Sequence, residues 1–243
     1  MSEAPIPDVR GRGGREAAHA AAARGMFDRI APTYDLLNRV LSVGLDERWR
    51  ARAVAALDGA PDGPVVDLCS GTLDLAARID RALPGRRVIA VDFSEAMLEA
   101  GRPKAPRVEL VVADATALPF EDGSVAAVAC GFGMRNLGDP AAGLREVRRV
   151  LRAGGVFVTL ELFRPTRPVT RAVHRAYSDL LVPLVGGYVS GDGGAYRYLA
   201  RSMAGFFGRD EYESQLRTKG FVRVQGFDLT LGVASIVRAE VAR

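Results

Sequence analysis

Three acidic residues, each at the end of a short apolar run, are the groups best placed to do chemistry in this 243-residue sequence. Asp67 lies in Val-Val-Asp-Leu, Asp92 ends Val-Ile-Ala-Val-Asp, and Asp114 follows Val-Glu-Leu-Val-Val-Ala. The first run leads into Cys-Ser-Gly-Thr, where Gly71 lets the backbone approach a ligand and Thr72 offers a hydroxyl and a backbone N–H. A strand, a glycine turn and a helix in this order are typical of a cofactor-binding segment.

The spacing of these acids indicates the ligand. Asp92 follows Gly71 by about 20 residues, where an acid is expected to accept from two ribose hydroxyls. Asp114 can accept from the exocyclic amine of adenine, while the backbone N–H of Ala115 donates to a ring nitrogen. Three carboxylates disfavour a pyrophosphate and favour a ligand with a positive centre, and the glycine loop lacks two glycines of the dinucleotide fingerprint. S-adenosylmethionine, a sulfonium with ribose and adenine, therefore fits better than NAD.

The elements that must position these residues begin near Pro64. Apolar runs alternate there with helical patterns, which predicts an α/β fold with a mostly parallel sheet and helices on both faces. The last two runs are separated by about two residues and must form an antiparallel hairpin. Parallel strands bring their carboxyl ends to one edge, so we expect the three acids to meet at the switch in strand order.

The chain divides into four predicted parts. Residues 1–14 are polar and rich in glycine and proline, which indicates a disordered leader without a secretory signal. Residues 15–62 form an N-terminal helical lid, and residues 63–243 form the main domain. A helical insert at about 165–203 precedes the final hairpin and is expected to cover the substrate. Since no run approaches about 20 apolar residues, no membrane span is expected.

Composition excludes several other functions. The net charge is +4 and no Lys/Arg run is interleaved with aromatic residues, so nucleic-acid binding is not expected. Two cysteines, Cys69 and Cys130, and two histidines provide neither a disulfide framework nor the spacing of a metal site. We expect reduced cysteines in a cytoplasmic protein. If the first and fourth strands are neighbours, the two cysteines should lie within about 12 Å of each other.

Several longer motifs resemble those of the ubiquinone/menaquinone biosynthesis C-methyltransferase family. They are RIAPTYDLLNRVLSVGLDERWRARAV, VVDLCSGTLDLA, VIAVDFSEAML, GFGMRNLGDPAAGLREVRRVLRAGG and YRYLARSM. The resemblance runs in order from about Phe27 to the C-terminus. It implies a Rossmann-like, S-adenosylmethionine-dependent methyltransferase fold with seven strands and an antiparallel last hairpin. It also implies C-methylation of a polyprenylated benzo- or naphthoquinol in ubiquinone or menaquinone biosynthesis.

The resemblance carries a set of cofactor residues onto this sequence: Asp67, Gly71, Thr72, Asp92, Asp114, Ala115 and Gly131. The sequence departs from the family pattern in several places: GDGGAYRYL is richer in glycine, FFGRDEY lacks an expected proline, and two cofactor-loop positions differ. Gly131 stands where a serine is often found, and Leu73 stands where a glycine is usual. We expect Leu73 in the first turn of the helix with a negative φ, where its side chain narrows the cofactor pocket without closing it.

Methyl transfer to a quinol carbon requires that a neighbouring hydroxyl lose its proton. Arg135, just past the fourth strand, is expected to favour the resulting anion, and Asn136 to hold a ring oxygen. Arginine is too basic to accept the proton, so water, Tyr34 or Asp35 serves instead. Other candidates lie in the insert: Tyr196 and Tyr198, with Asp192 weaker and His174 assigned to the surface.

The expected partner is a lipophilic quinol. The apolar stretch YSDLLVPLVGGYV suits an isoprenoid tail, although an ordinary core helix explains its leucines equally well. Residues 164–175 contain arginines that could rest on anionic lipid at the inner face of a membrane. The resemblance is also compatible with a homodimer. Two alternatives stay open: a methyltransferase for another phenolic small molecule, and a non-catalytic subunit in which Leu73 blocks the cofactor.

Overall fold

Seven strands in one sheet form the centre of the computed structural model, which describes residues 25, 27–166, 168, 171, 202–203 and 205–243. The strands are β1 (Val65–Leu68), β2 (Val88–Asp92), β3 (Glu109–Val112), β4 (Val125–Gly131), β5 (Leu151–Glu161), β6 (Phe221–Leu229) and β7 (Ala234–Val241). The described helices are α1 (Tyr34–Leu41), α2 (Asp46–Ala55), α3 (Asp74–Ala82), α4 (Glu95–Gly101), α5 (Pro140–Val150) and α6 (Arg209–Thr218).

The strand order is β3-β2-β1-β4-β5-β7-β6. The pairs among β1 to β5 are parallel, whereas β7 is antiparallel to both β5 and β6. The predicted parallel sheet with an antiparallel C-terminal hairpin is therefore confirmed. Chain order reverses between β1 and β4, so a ligand is expected outside the carboxyl ends of these two strands.

Hydrophobic patterning explains the layers on each face of the sheet. β1 and β2 are buried along their whole length because helices cover both faces, while β3 at the edge is partly exposed. Helices α5 and α6 bury their apolar side chains on one face, and α2, α3 and α4 do so on the other. Trp49 and Ala53 of α2 are buried in that second core. The part of the predicted lid that forms α2 is thus a structural layer of the domain.

Two helices next to the site begin at the N-cap residues that the sequence predicts. The Ser94 hydroxyl accepts from the backbone N–H of Met97 at 3.1 Å, and Asp139 accepts from Ala142 at 3.0 Å. These caps start α4 and α5 directly after the loops that follow β2 and β4.

Several predictions fall outside the described residues. They are the leader at 1–14, nearly all of the insert at about 165–203, and its candidates His174, Asp192, Tyr196 and Tyr198. In the described part of the chain, no helix has both the length and the apolar character needed to cross a membrane. The same residues contain no cluster of histidine, cysteine and acidic side chains suited to a metal ion.

Candidate functional site

A cavity of about 300 Å³, here called the first cavity, opens at the carboxyl ends of β1, β2 and β4. Five residues predicted to bind the cofactor line it: Gly71, Asp92, Asp114, Ala115 and Gly131. Two residues predicted to act in catalysis, Tyr34 and Asn136, line it as well. The parallel sheet therefore brings together residues that lie far apart in the sequence.

Asp92 organises the floor of the first cavity. One carboxylate oxygen accepts from the backbone N–H of Gly71 at 2.8 Å, and the other accepts from the N–H of Ser94 at 2.9 Å. The side chain is 6% exposed. Each oxygen of a carboxylate has a second lone pair, so Asp92 can brace both loops and still accept from a ligand.

Asp114 lies at the exposed side of the same cavity. Its Oδ1 accepts from the backbone N–H and the hydroxyl of Thr116, both at 2.7 Å. The neighbouring Ala115 is buried. This local turn fixes the direction of the carboxylate and of the following backbone.

Asp67 and Thr72 do not line the first cavity. Asp67 is 1% exposed, and its Oδ2 accepts from the Ser70 hydroxyl at 2.5 Å, behind the glycine turn. It precedes the last residue of β1, and side chains alternate between faces along a strand. Thr72 is buried and donates to Asp35 at 2.5 Å. These contacts let both residues support the glycine loop, and their contact with the cofactor, which the resemblance implies, stays a prediction.

Asp67 makes stability depend on pH. Burial raises its pKa from 3.8 to about 7, although the hydrogen bond from Ser70 lowers it. The folded state thus binds this proton more tightly than the unfolded chain. The stabilisation is complete below about pH 4 and is lost as pH rises through about 7. The free energy of unfolding changes by at most about 4 kcal/mol over this range.

Asp67→Asn should remove this slope and stabilise the unliganded protein above about pH 7. Urea unfolding of both proteins between about pH 4 and 8 measures the difference. Asp58→Asn, at an exposed position, is the matched control. Parallel stability curves for wild type and Asp67→Asn would contradict the assignment.

Leu73 has neither the negative φ nor the position in the cofactor pocket that we expected from the sequence. It is the N-cap residue of α3 with φ +66°, in the left-handed region, because the helix begins one residue later at Asp74. Its side chain is fully buried in the core between α3 and α4 and is absent from the lining of the first cavity. The expected negative φ and the narrowing of the pocket are wrong. A cofactor block by Leu73 has no basis in this geometry.

Leu73→Gly should therefore change stability more than cofactor affinity. Relief of the left-handed backbone gains about 1–2 kcal/mol, whereas loss of a buried leucine costs about 2–5 kcal/mol. We expect a net loss of stability in urea unfolding and an unchanged Kd for S-adenosylmethionine by calorimetry. A large gain in affinity would show that the side chain obstructs the site after all.

The two cysteines lie close to each other, as predicted, and Cys69 lines the first cavity. In the β1–β4 register Leu68 is opposite Cys130. A Cβ on Gly133 would lie 3.0 Å from the Cys69 sulfur and 2.9 Å from the Cys130 sulfur. The hydrogen bond with Cys130, together with burial, raises the pKa of the Cys69 thiol well above its usual value. Both cysteines are free, and no side chain fits at Gly133.

A second cavity of about 170 Å³ lies on the other side of Phe132. Most of its lining is apolar and comes from Leu41, Val43, Leu45, Trp49, Phe132, Leu162, Met203 and Val233. Its polar lining residues are Asn38, Ser42, Asp46, Arg50, Arg135 and Thr230. Thr230 accepts from the Trp49 indole at 2.9 Å.

Arg135, predicted as a catalytic residue, lines the second cavity in a buried ion pair with Glu161 at the end of β5. The carboxylate is fully buried and also accepts from the backbone N–H groups of Leu162 at 2.8 Å and Arg135 at 3.3 Å. Burial raises the pKa of Glu161, although the Arg135 charge lowers it. Sequence reasoning missed Glu161, whose only signal is an acid at the end of the fifth apolar run.

Tyr34 and Asp35 are poor proton acceptors in this arrangement. Tyr34 lies over Gly71, and burial raises its pKa above 10 despite a hydrogen bond with Asn38. It stays neutral near pH 7. Asp35 is exposed, pairs with Lys104 at 2.7 Å, and lines neither cavity.

Asp46 is a carboxylate that the sequence did not single out. It is 7% exposed and lines the second cavity, where it accepts from the Ser42 hydroxyl at 2.6 Å and pairs with Arg50. Burial raises the pKa of Asp46, but the Ser42 hydrogen bond and the Arg50 charge outweigh burial, so the pKa is lowered overall. Asp46 is therefore ionised at neutral pH.

Solved structures share this fold at low sequence identity. Geranyl diphosphate C-methyltransferase from Streptomyces coelicolor A3(2) is 18% identical with a TM-score of 0.60, covering 81% of this chain and 79% of that one. The [4+2]-cyclase SpnF is 15% identical with a TM-score of 0.65, covering 90% and 95%. These likenesses concern the fold alone, since one fold hosts many reactions.

Curated relatives are much more similar. Demethylmenaquinone methyltransferase of Thermus thermophilus is 44% identical over 216 residues, or 87% of this chain and 97% of the relative. Ubiquinone/menaquinone biosynthesis C-methyltransferase UbiE of Syntrophotalea carbinolica is 41% identical over 217 residues, or 88% and 91%. The model of the ubiE/COQ5 methyltransferase family matches residues 15–240. Because the family model covers most of the chain and these relatives are 44% and 41% identical to it, the chain belongs to the ubiE/COQ5 methyltransferase family.

Proposed function

We propose that this protein transfers the methyl group of S-adenosylmethionine to a ring carbon of a polyprenylated quinol precursor of menaquinone or ubiquinone. The observation that carries the proposal is the pair of cavities that meet at Phe132. One is lined by acids at strand ends and suits a cationic donor. The other is mainly apolar with two guanidinium groups and suits a lipophilic phenol. Family membership and the names of the curated relatives support the same reaction.

The residues of the first cavity fit S-adenosylmethionine. Asp92 can accept from the ribose hydroxyls, Asp114 and the Ala115 N–H can bind adenine, and Gly71 and Gly131 let the backbone approach. The acidic lining complements the sulfonium charge. When bound, the cofactor supplies an electrophilic methyl group.

The second cavity is the proposed site of the quinol ring. Its leucines, Trp49 and Met203 provide apolar walls, while Arg135 and Asn38 can bind ring oxygens. Glu161 fixes the Arg135 guanidinium, so its remaining N–H donors have a defined direction. Because Glu161 also balances the Arg135 charge, we assign Arg135 to binding and orienting a ring oxygen.

Asp46 is the proposed proton acceptor. Among the described residues that line the second cavity it is the one carboxylate, and it is ionised at neutral pH. Removal of the hydroxyl proton makes the ring carbon nucleophilic. After transfer, the methylated carbon loses its hydrogen as a proton to water, which restores the aromatic ring, and the phenolate that results takes back the proton held by Asp46.

Asp46→Asn should lower kcat by about 10²–10⁴-fold with little change in cofactor affinity, because a general base is lost. The pH–rate profile should also lose its acidic limb. Steady-state kinetics with a reduced quinol acceptor measures both. Glu47→Gln, at the neighbouring exposed position outside both cavities, is the matched control. A wild-type pH profile in Asp46→Asn, with fold confirmed by circular dichroism, would remove Asp46 from this role.

An acceptor series tests the proposed function against its alternatives. Methyl-labelled S-adenosylmethionine is incubated anaerobically with a polyprenylated naphthoquinol, a polyprenylated benzoquinol, or a small water-soluble phenol. We expect label in at least one polyprenylated quinol. Label in the small phenol alone would favour the alternative acceptor class. Folded protein that gives no heat with the cofactor in calorimetry would favour a non-catalytic subunit.

We also propose a cytoplasmic location, contact with the inner face of a membrane, and a homodimer. The arginine pattern supports the membrane contact, and the family resemblance supports the homodimer. Arg164, at the start of that pattern, pairs with Glu211 at 2.7 Å. Of the other three arginines of the pattern, Arg171 is described and exposed, whereas Arg167 and Arg175 lie outside the described residues.

A further inference from the structure

Phe132 is the one described residue that lines both cavities. It follows Gly131, the last residue of β4, at the point where the strand order switches. It therefore contributes to the wall of each cavity. This position places Phe132 between the proposed sites of the methyl donor and the acceptor ring.

The backbone of Phe132 is held in an unfavourable conformation. Its φ is +60°, in the left-handed region that costs a bulky residue about 1–2 kcal/mol. Its N–H donates to the Leu160 carbonyl at 2.7 Å, and its carbonyl accepts from the Asn136 amide at 3.2 Å. Such strain persists where surrounding contacts fix it, and it concentrates at functional sites.

The ring of Phe132 is fixed from several directions. The guanidinium carbons of Arg50 and Arg135 lie 5.7 and 5.8 Å from its centroid, within the range of cation–π contact. The Trp49 ring centroid is 6.3 Å away at an interplanar angle of 59°. Arg50 pairs with Asp46, and Arg135 with Glu161. The two charged partners are thus themselves anchored.

We propose that Phe132 is the positioning and specificity-determining residue that sets how deeply the acceptor ring enters toward the methyl donor. This inference rests on the proposed function. Methyl transfer needs the two reacting atoms within about 3–3.5 Å, and a misplacement of about 1 Å costs about 100-fold in rate. A smaller side chain would join the cavities, let the ring shift and admit water.

Phe132→Ala tests the proposal. We expect kcat with the preferred polyprenylated quinol to fall about 100-fold, while the Kd for S-adenosylmethionine stays unchanged in calorimetry. The ratio of kcat/KM between naphthoquinol and benzoquinol should move toward unity by about tenfold, since one pocket wall is lost. Phe132→Leu keeps more side-chain volume and should recover part of the kcat and part of the acceptor preference. Phe120→Ala, at a partly buried phenylalanine outside both cavities, is the matched control and should leave both values unchanged.

The outcomes separate this inference from the proposed function. If wild type methylates a quinol and Phe132→Ala keeps its kcat and acceptor ratio, the inference fails and the proposed function stands. If wild type binds the cofactor but methylates no quinol, both fail. Should Phe132→Ala not fold, unchanged kcat and acceptor ratio in Phe132→Leu would overturn the inference equally.

Discussion

Glu161→Gln is expected to reduce methyl transfer by about 100- to 1000-fold while the cofactor still binds. The carboxylate contacts the Arg135 guanidinium and accepts from two backbone N–H groups, at Leu162 and Arg135. A neutral amide must turn an NH2 group toward donors and leaves the guanidinium without its buried counter-charge. Loss of one correctly aimed donor near the reacting oxygen costs about 10²–10³ in kcat.

The same substitution should also destabilise the protein. Breaking a buried ion pair by removal of one partner costs about 3–5 kcal/mol, since the other charge is left uncompensated. Urea unfolding measures this loss, and calorimetry with S-adenosylmethionine confirms a folded first cavity.

A double variant separates stability from catalysis. Glu161→Gln combined with Arg135→Met removes both charges and should recover much of the lost stability. It should stay inactive, because the donor to the ring oxygen is gone. Wild-type kcat in Glu161→Gln, or full activity in the double variant, would show that Arg135 does not act on the acceptor.

Asp92→Asn is expected to weaken S-adenosylmethionine binding by about 100- to 1000-fold. Both oxygens of the carboxylate accept from backbone N–H groups, at Gly71 and Ser94. An asparagine must point its NH2 group at one of these donors, and hydrogen bonds to charged groups contribute about 1.5–3 kcal/mol each. The variant would lose the hydrogen bonds that connect the glycine turn to the start of α4. It would also lose the proposed acceptor for the ribose hydroxyls.

Calorimetric titration of Asp92→Asn with S-adenosylmethionine gives the change in Kd. Asp122→Asn is the control, since Asp122 is exposed, pairs with Arg149 and lies outside both cavities. An affinity close to that of wild type in Asp92→Asn would mean that ribose binds elsewhere.

The sequence predicted best what depends on strand periodicity. Asp92 and Asp114 line one cavity because each follows or ends an apolar run, and the ends of parallel strands share one edge. Cys69 and Cys130 lie together for the same reason. Asp67 illustrates the limit: β1 ends one residue later, at Leu68, and a shift of one residue changes the face on which a side chain lies.

The features that the sequence did not predict depend on contacts between residues far apart in the chain. Leu73 adopts a left-handed φ because burial of its side chain outweighs the backbone preference, and the helix begins after it, at Asp74. Glu161 and Arg135 are separated by 26 positions in the chain, and their pairing has no periodic signature. The contacts of Phe132 with Arg50 and Trp49 likewise require α2 to pack against the sheet.

The bond formed in the product tests the central claim most directly. Wild-type protein is incubated anaerobically with S-adenosylmethionine carrying a ¹³C methyl group and with reduced polyprenylated quinol, and the product is examined by NMR. We predict a carbon-bound methyl signal on the quinol ring, absent when the oxidised quinone replaces the quinol. An oxygen-bound methyl signal, or no labelled quinol from protein that binds the cofactor, would contradict the account.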